Sequence, residues 1–193
     1  KTALRFSGGI ILAALAVCTW FQLGYWKNSV TLFKHAIEVT SENRLAELNL
    51  GAAFVSEGKL QEAVAHYRDV LRRNPDLAEA HVNLGATMAA MGNLDQAIDH
   101  YRQALRIMPD AAEAHNNLGA ALMTRGELDR AATHLAEALR IKPGYAEAWL
   151  NLGKVLARQG RLDGAVADYL EALRLRSDYS EAHANLGAAL VLQ

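Results

Sequence analysis

Apolar residues after position 43 recur with helical spacing, and the whole pattern repeats every 34 residues. In one copy, Leu84 and Met88 mark a first apolar run, and a second run extends from Leu94 to Leu105. Each copy therefore predicts two amphipathic helices. A single hairpin cannot bury its own apolar face, so neighbouring copies must stack, and we predict an all-α solenoid. Four full copies and a partial fifth begin at Arg44, Ala78, Ala112, Ala146 and Ser180.

Small and turn-forming residues recur at fixed places in each copy. A glycine such as Gly92 lies between the two apolar runs, where it permits a tight turn with positive φ. Gly85 and Ala97 are small where the two helices must approach closely. A proline near the end of a copy stops its second helix. Aspartates followed three residues later by glutamates predict capping boxes, at Asp76 and Glu79, Asp110 and Glu113, and Asp178 and Glu181.

This pattern resembles the tetratricopeptide repeat family from about Arg44 to Gln193, through its repeated Leu-Gly pairs, turn glycines and alanines. The resemblance implies a right-handed superhelix with a concave groove lined by the first helices. The aromatic position that the family has early in its first helix is filled by Trp149 in the fourth copy. The other copies carry Glu47, His81, His115 and His183 at this position.

Residues 6–26 contain no charged side chain. At about 1.5 Å per residue, a helix of this length spans a hydrocarbon core of roughly 30 Å, so we predict one transmembrane helix here. A signal peptide, a lipoprotein signal ending at Cys18 and a buried soluble helix are the alternatives. Lys1 and Arg5 precede the span and Lys27 follows it, which favours a periplasmic or lumenal repeat array.

The helical register also extends backwards from the first copy. Gly24 lies 34 residues before Gly58, and residues 33, 36 and 37 match the apolar positions of a second helix. We therefore predict that residues 27–43 form an N-terminal capping helix, which covers the apolar end of the array at residues 44–193.

An asparagine precedes every Leu-Gly pair. One helical step of about 100° would turn these amides toward the concave face, where they could bond the backbone of an extended peptide. Lys154 and Arg158 add positive charge to this groove in the fourth copy. The row resembles the asparagine-lined groove of the tetratricopeptide half of O-GlcNAc transferases. Alternatively, the amides bond neighbouring copies and hold the superhelix together. The row comprises Asn49, Asn83, Asn117, Asn151 and Asn185.

Composition and candidate chemistry argue for a binding protein. The 20 basic and 21 acidic residues leave a net charge of −1, which does not attract nucleic acid. Recurring histidines should lie a repeat apart, so we expect no metal site, and His66, His100 and His134 should lie on a solvated helix face. We find no nucleophile with a positioned base and no phosphate loop, so this segment should have no catalytic residues and no cofactor.

The residues directly after the apolar span carry a second resemblance. The stretch from Tyr25 to Ala36 is similar to the junction in multi-span protein O-mannosyltransferase-like proteins that have a tetratricopeptide tail. This resemblance implies catalytic acids in membrane loops upstream and a tail that faces the periplasm or lumen. We thus expect a segment of a longer protein, either a membrane-tethered interaction scaffold or the tail of such a glycosyltransferase. The repeat half of a soluble O-GlcNAc-transferase-like enzyme is disfavoured by the span.

Overall fold

The computed structural model describes residues 28–40 and 43–193, and these residues form ten α-helices and no strand. The all-α solenoid class is therefore confirmed. The predicted transmembrane helix at 6–26 lies outside the described residues. None of the ten helices combines the length and apolar character needed to cross a bilayer. They are α1 Ser29–Val39, α2 Arg44–Ser56, α3 Leu60–Arg73, α4 Ala78–Ala90, α5 Leu94–Ile107, α6 Ala112–Thr124, α7 Leu128–Ile141, α8 Ala146–Arg158, α9 Leu162–Leu175 and α10 Ser180–Leu192.

The chain divides into two compact units, and the boundary falls between His66 and Tyr67. In the first unit, α1 starts with a capping box, in which the Asn28 side chain accepts from the Thr31 amide at 2.8 Å. Val30 of α1 is buried against Leu50 and Ala53 of α2, with Phe33 and Ile37 beside them. The predicted capping segment thus contains a helix that packs on the first helix of the first copy.

In the second unit the helices pack as successive hairpins. Helices α4 and α5, α6 and α7, and α8 and α9 pair within copies, and each second helix also contacts the next first helix. The turn glycines have φ between 73° and 83°, in the left-handed region that other residues rarely adopt, as the sequence predicted. These glycines are Gly58, Gly92, Gly126 and Gly160.

The two helices of a hairpin approach so closely that only glycine fits at one position. A Cβ atom at Gly85 would lie 2.7 Å from Cε1 of Tyr101, and one at Gly153 would lie 2.6 Å from Cε1 of Tyr169. Ala97 on the facing helix is fully buried. The predicted small residues therefore mark the helix contact, and a tyrosine of the second helix fills the space beside Gly85 and Gly153, as Leu135 does beside Gly119.

The predicted capping boxes at the starts of the first helices are wrong. The N-cap residues of α4, α6 and α10 are Leu77, Ala111 and Tyr179, and none makes a side-chain cap hydrogen bond. Each aspartate lies one residue before the N-cap, in the interhelical turn, while a capping side chain must belong to the N-cap residue itself.

Candidate peptide-binding groove

The first helices of the second unit lie side by side, because α4 contacts α6, α6 contacts α8 and α8 contacts α10. Residues at equivalent places in these helices therefore form columns across one face. In the asparagine column, Asn83, Asn117 and Asn185 are half-buried and Asn151 is only 7% exposed. Asn49 is half-buried too, and it lies in the first unit.

Asn151 bonds the preceding copy. Its Nδ2 donates to Oδ1 of Asn116 at 3.0 Å, and Asn116 is completely buried. The amide nitrogen of Asn116 in turn lies 3.2 Å from Oδ1 of Asn117, 3.2 Å from Oε1 of Glu147 and 3.4 Å from Oη of Tyr145. At this position the amide holds two copies together. The side chains of Asn83 and Asn185 make no hydrogen bond to any residue that the structure describes.

Asn116 is the polar residue whose role the sequence did not identify. The structure buries it between α6 and α8. The available signal was its column, because the other full copies have apolar residues there, namely Leu48, Val82 and Leu150. Val82, Met123 and Leu150 of the first helices are buried as well, so these apolar side chains are not open to a partner.

A cleft of about 350 Å³ opens between the first helices α4 and α6. Half of its lining side chains are alanines, while Tyr101 contributes an aromatic ring and Asn117 one amide. Burial, together with the charge of Glu113, raises the pKa of Tyr101 to about 12, so this phenol is neutral at physiological pH. The lining residues are Ala86, Ala89, Leu94, Tyr101, Asn117, Ala120, Ala121 and Thr124.

The two predicted groove cations both contact neighbouring copies. Lys154 Nζ lies 2.8 Å from Oε1 of Glu181 in the fifth copy. Arg158 Nη1 donates to the carbonyl oxygen of Met123 at 2.5 Å, near the C-terminal end of α6, where the helix dipole favours a cation. Both side chains therefore connect neighbouring copies, and the charge of Lys154 is paired within the protein.

Histidines from the two helices of a hairpin meet in pairs. Nδ1 of His81 lies 3.1 Å from Nδ1 of His100, and His115 and His134 repeat this contact at 3.1 Å. The expectation that His100 and His134 lie on a solvated face is therefore wrong, since both are half-buried. The sequence showed two separate columns, and only the packing of the hairpin brings them together.

The carbonyl groups of the interhelical turns determine which ring nitrogens of these pairs carry a proton. Nε2 of His81 lies 3.1 Å from the carbonyl oxygen of Pro75, and Nε2 of His115 lies 3.0 Å from that of Pro109. A carbonyl only accepts, so Nε2 carries the proton and Nδ1 of the same neutral ring accepts. His100 and His134 must then donate from Nδ1. Trp149 occupies the equivalent place, as predicted, and its Nε1 donates to the Pro143 carbonyl at 2.8 Å.

The environment of the second-helix histidines disfavours their charged form. Burial lowers the pKa of His100, and the charges of His81 and Arg68 lower it further. Burial likewise lowers the pKa of His134, assisted by His115 and Arg130. No group of three or more metal-ligating side chains occurs among the residues that the structure describes. In each pair, the second-helix ring thus favours its neutral form.

The fourth copy replaces the histidine pair with Trp149 and Asp168. Asp168 is 9% exposed and its Oδ2 is buried without a hydrogen-bond partner. Burial raises the pKa of Asp168 to about 6, although the charge of Arg161 opposes this. This carboxylate is a local source of instability at neutral pH.

The hairpin geometry defines a class of protein, the helical-repeat scaffolds, whose members are built from stacked two-helix units. A family model described as TPR repeat matches residues 51–92 and 89–126, and one described as tetratricopeptide repeat matches residues 126–180. The chain therefore belongs to the tetratricopeptide repeat family, whose members are generally scaffolds for protein–protein interaction. No curated protein matches the chain in sequence.

Solved structures share this fold. A thermophilic TPR protein of Thermus thermophilus, TTC0263, is 24% identical with a TM-score of 0.74, and the match covers 90% of this chain and 95% of that one. MamA is 26% identical with a TM-score of 0.66, covering 74% and 83%. The first TPR of Spaghetti (RPAP3), bound to HSP90 peptide SRMEEVD, is 22% identical with a TM-score of 0.58, covering 60% and 91%.

Proposed function

We propose that the first helices of residues 78–192 bind a protein or an extended peptide, and that this segment performs no chemistry. The observation that carries the proposal is the cleft between α4 and α6, which is open, mostly apolar and bordered by an amide. A side chain of a partner fits such a cleft, while the amide bonds the partner's backbone. The structure of Spaghetti (RPAP3), which is similar in fold, holds a peptide.

Asn83 and Asn117 are the amides that we assign to the partner. Each side chain can donate and accept, so each can pair with one peptide unit of an extended chain regardless of its sequence. Asn151, which bonds Asn116, serves the stacking of copies instead. The row of five amides is thus divided between two roles, binding and cohesion, and Asn49 and Asn185 remain candidates for the first.

A titration separates these roles. A binding peptide is first selected from a displayed random library on the full chain, and its affinity is then measured for two variants. Replacing both Asn83 and Asn117 with alanine should weaken binding about tenfold, because two hydrogen bonds are worth roughly 0.5–1.5 kcal/mol each. The control, Asn151→Ala, should lower the free energy of unfolding and change affinity less. Unchanged affinity in the folded double variant would contradict the assignment.

We further propose that residues 6–26 anchor the array in a membrane and that the array faces the periplasm or lumen. The uncharged run and its basic flanks support this proposal. Alkaline carbonate extraction of membranes should leave the full chain in the pellet. Protease added from the periplasmic side should then degrade the array. Complete release into the supernatant would refute the anchor.

The glycosyltransferase tail remains a second candidate, favoured by the stretch from Tyr25 to Ala36 directly after the apolar run. On this reading, the array presents a protein substrate to a catalytic domain in the membrane. The gene sequence upstream of Lys1 discriminates between the candidates. Several further spans with an acidic first loop would favour the transferase, and a short basic start would favour the tethered scaffold.

A further inference from the structure

The second residue of each first helix, from the second copy to the fifth, is a glutamate that is exposed. Two of these carboxylates show where the column points. Oε1 of Glu147 accepts from Nδ2 of Asn116, and Oε1 of Glu181 pairs with Nζ of Lys154 at 2.8 Å. Both partners belong to the preceding first helix, so the glutamates reach back across the groove between copies. The column comprises Glu79, Glu113, Glu147 and Glu181.

The partner of Glu181 has no equivalent in the earlier copies. Lys154 corresponds to Ala120 one repeat earlier and to Ala86 two repeats earlier, and both alanines line the cleft. Glu181 meets Lys154 on the preceding first helix, whereas Glu113 has Ala86 at the equivalent position. Within the described part of the chain, Glu113 makes no ion pair and no side-chain hydrogen bond. The cleft is thus lined by alanines at the position where the fourth copy has the ammonium group of Lys154.

The two first helices that border the cleft carry charge of only one sign. Helices α4 and α6 contain no lysine or arginine, and each has one glutamate in its first turn. Arg125 follows α6, but it pairs with Asp95 at 2.9 Å and with Glu127 at 3.1 Å. Glu113 also contributes to the raised pKa of Tyr101, which lines the cleft, so its field extends into this space. A positively charged group in the cleft is therefore electrostatically complementary to the glutamates of these helices.

We propose that the cleft between α4 and α6 receives a lysine or arginine side chain of an extended partner peptide. The methylene stem packs on Ala86, Ala89 and Ala120, and the cationic head pairs with Glu113, as Lys154 pairs with Glu181 in the same chain. The inference rests on the proposed peptide-binding function and adds the chemistry of the partner. A peptide that places a carboxylate here meets the like charge of Glu113 and is repelled.

Peptide pools of defined composition test this inference on the full chain. Each pool is a fluorescein-labelled nonapeptide mixture in which the central residue is fixed as Lys, Arg, Leu or Glu, and the other positions are randomised without charged residues. In fluorescence polarisation, the Lys and Arg pools should bind about tenfold tighter than the Glu pool, and this preference should shrink as salt is raised.

Three variants locate the contact. Glu113→Gln should weaken binding of the Lys pool about fivefold and leave the Leu pool unchanged. Ala86→Lys should abolish the preference, because the chain then supplies its own ammonium to Glu113. Glu171→Gln is the matched control, since it removes a carboxylate from α9 that pairs with Arg174, and it should change nothing. Circular dichroism melting verifies that each variant is folded.

The outcomes separate the two proposals. Three results would overturn the proposal of a cationic side chain and leave the proposal of peptide binding intact. They are equal binding of the Lys and Leu pools, a preference for the Glu pool, and an unchanged Lys preference in Glu113→Gln. If no pool binds, the inference and the proposed function both fail.

Discussion

At the scale of single residues, the chain depends on a few positions where one side chain satisfies a steric or polar demand. Gly85 lies against Tyr101, and the completely buried amide of Asn116 bonds Asn151 and Glu147. These demands differ in kind, because the first is a limit on volume and the second is a need for hydrogen bonds. Each can be tested by removing or adding only a few atoms.

Replacing Gly85 with alanine should destabilise the second hairpin by about 2 kcal/mol. The added Cβ would lie 2.7 Å from Tyr101 and 3.1 Å from the backbone oxygen of Ala97, so helix and ring must move apart. Gly187→Ala is the matched control, because a Cβ there meets nothing within 4 Å. Helix propensity alone should make the control neutral or slightly more stable. Urea unfolding of both variants measures the difference, and equal stabilities would contradict the steric explanation.

Replacing Asn116 with alanine should lower the free energy of unfolding by about 2 kcal/mol. The change removes a completely buried amide and leaves the polar atom of Asn151 without its partner. A double-mutant cycle with Asn151→Ala should give a coupling energy of about 1 kcal/mol. Additive effects in urea unfolding would show that the two amides do not interact in solution.

At the scale of helices, hairpins are fastened by contacts that recur in successive copies. The first-helix side chains of His81, His115, Trp149 and His183 all bond the carbonyl group of residue 75, 109, 143 or 177, respectively. In the second and third copies, the same side chain also bonds a histidine of the second helix. One residue thus connects the preceding turn, its own helix and the helix packed against it.

These histidine pairs should make stability depend on pH. The pKa values of His100 and His134 are lower in the folded chain than the ordinary value of 6.5, so the unfolded chain binds more protons in acid. Their contribution is full above about pH 6.5 and is lost as the pH falls below that value. Replacing both residues with asparagine, which keeps a donor near the position of Nδ1, should flatten the decrease in melting temperature between pH 7 and pH 5.

Asp168 provides a control of opposite sign. Its pKa is raised from 3.8 to about 6, so the folded chain binds more protons than the unfolded chain between these values. Its contribution to stability therefore increases as the pH falls through 6. Asp168→Asn should raise the melting temperature at pH 7 and steepen the loss of stability toward pH 5. A flatter profile in this variant would contradict the assignment.

At the scale of the whole molecule, contacts between copies repeat along the second unit. In the second unit, the residue that follows each of the last three first helices donates to the first-turn aspartate of the preceding second helix. Arg125 bonds Asp95, Gln159 bonds Asp129 and Gln193 bonds Asp163, at 2.6–2.9 Å. Stability of such an array is a sum of hairpin and interface contributions, so a change in one interface should act locally.

The first unit offers a test of the capping helix. Val30 of α1 covers Leu50 and Ala53, and Phe33 packs beside them. Replacing Val30 and Phe33 with serine should expose this surface and promote aggregation of the detergent-solubilised full chain, which light scattering measures. Glu38→Ser is the control, since this side chain is 73% exposed and should leave the chain as soluble as before. Equal scattering from all three proteins would show that α1 does not protect the array.

The sequence alone determined the elements and their order. Its 34-residue period predicted the hairpins, the turn glycines and the close contact at Gly85, because these depend on local backbone conformation and on the size of side chains at fixed spacing. Only tertiary structure decided which columns meet. His81 and His100 are 19 residues apart, and Asn116 and Asn151 are 35 apart, and their contacts depend on how helices rotate against each other. Rotation is set by the packing of all neighbouring side chains together, which no single column of the sequence contains.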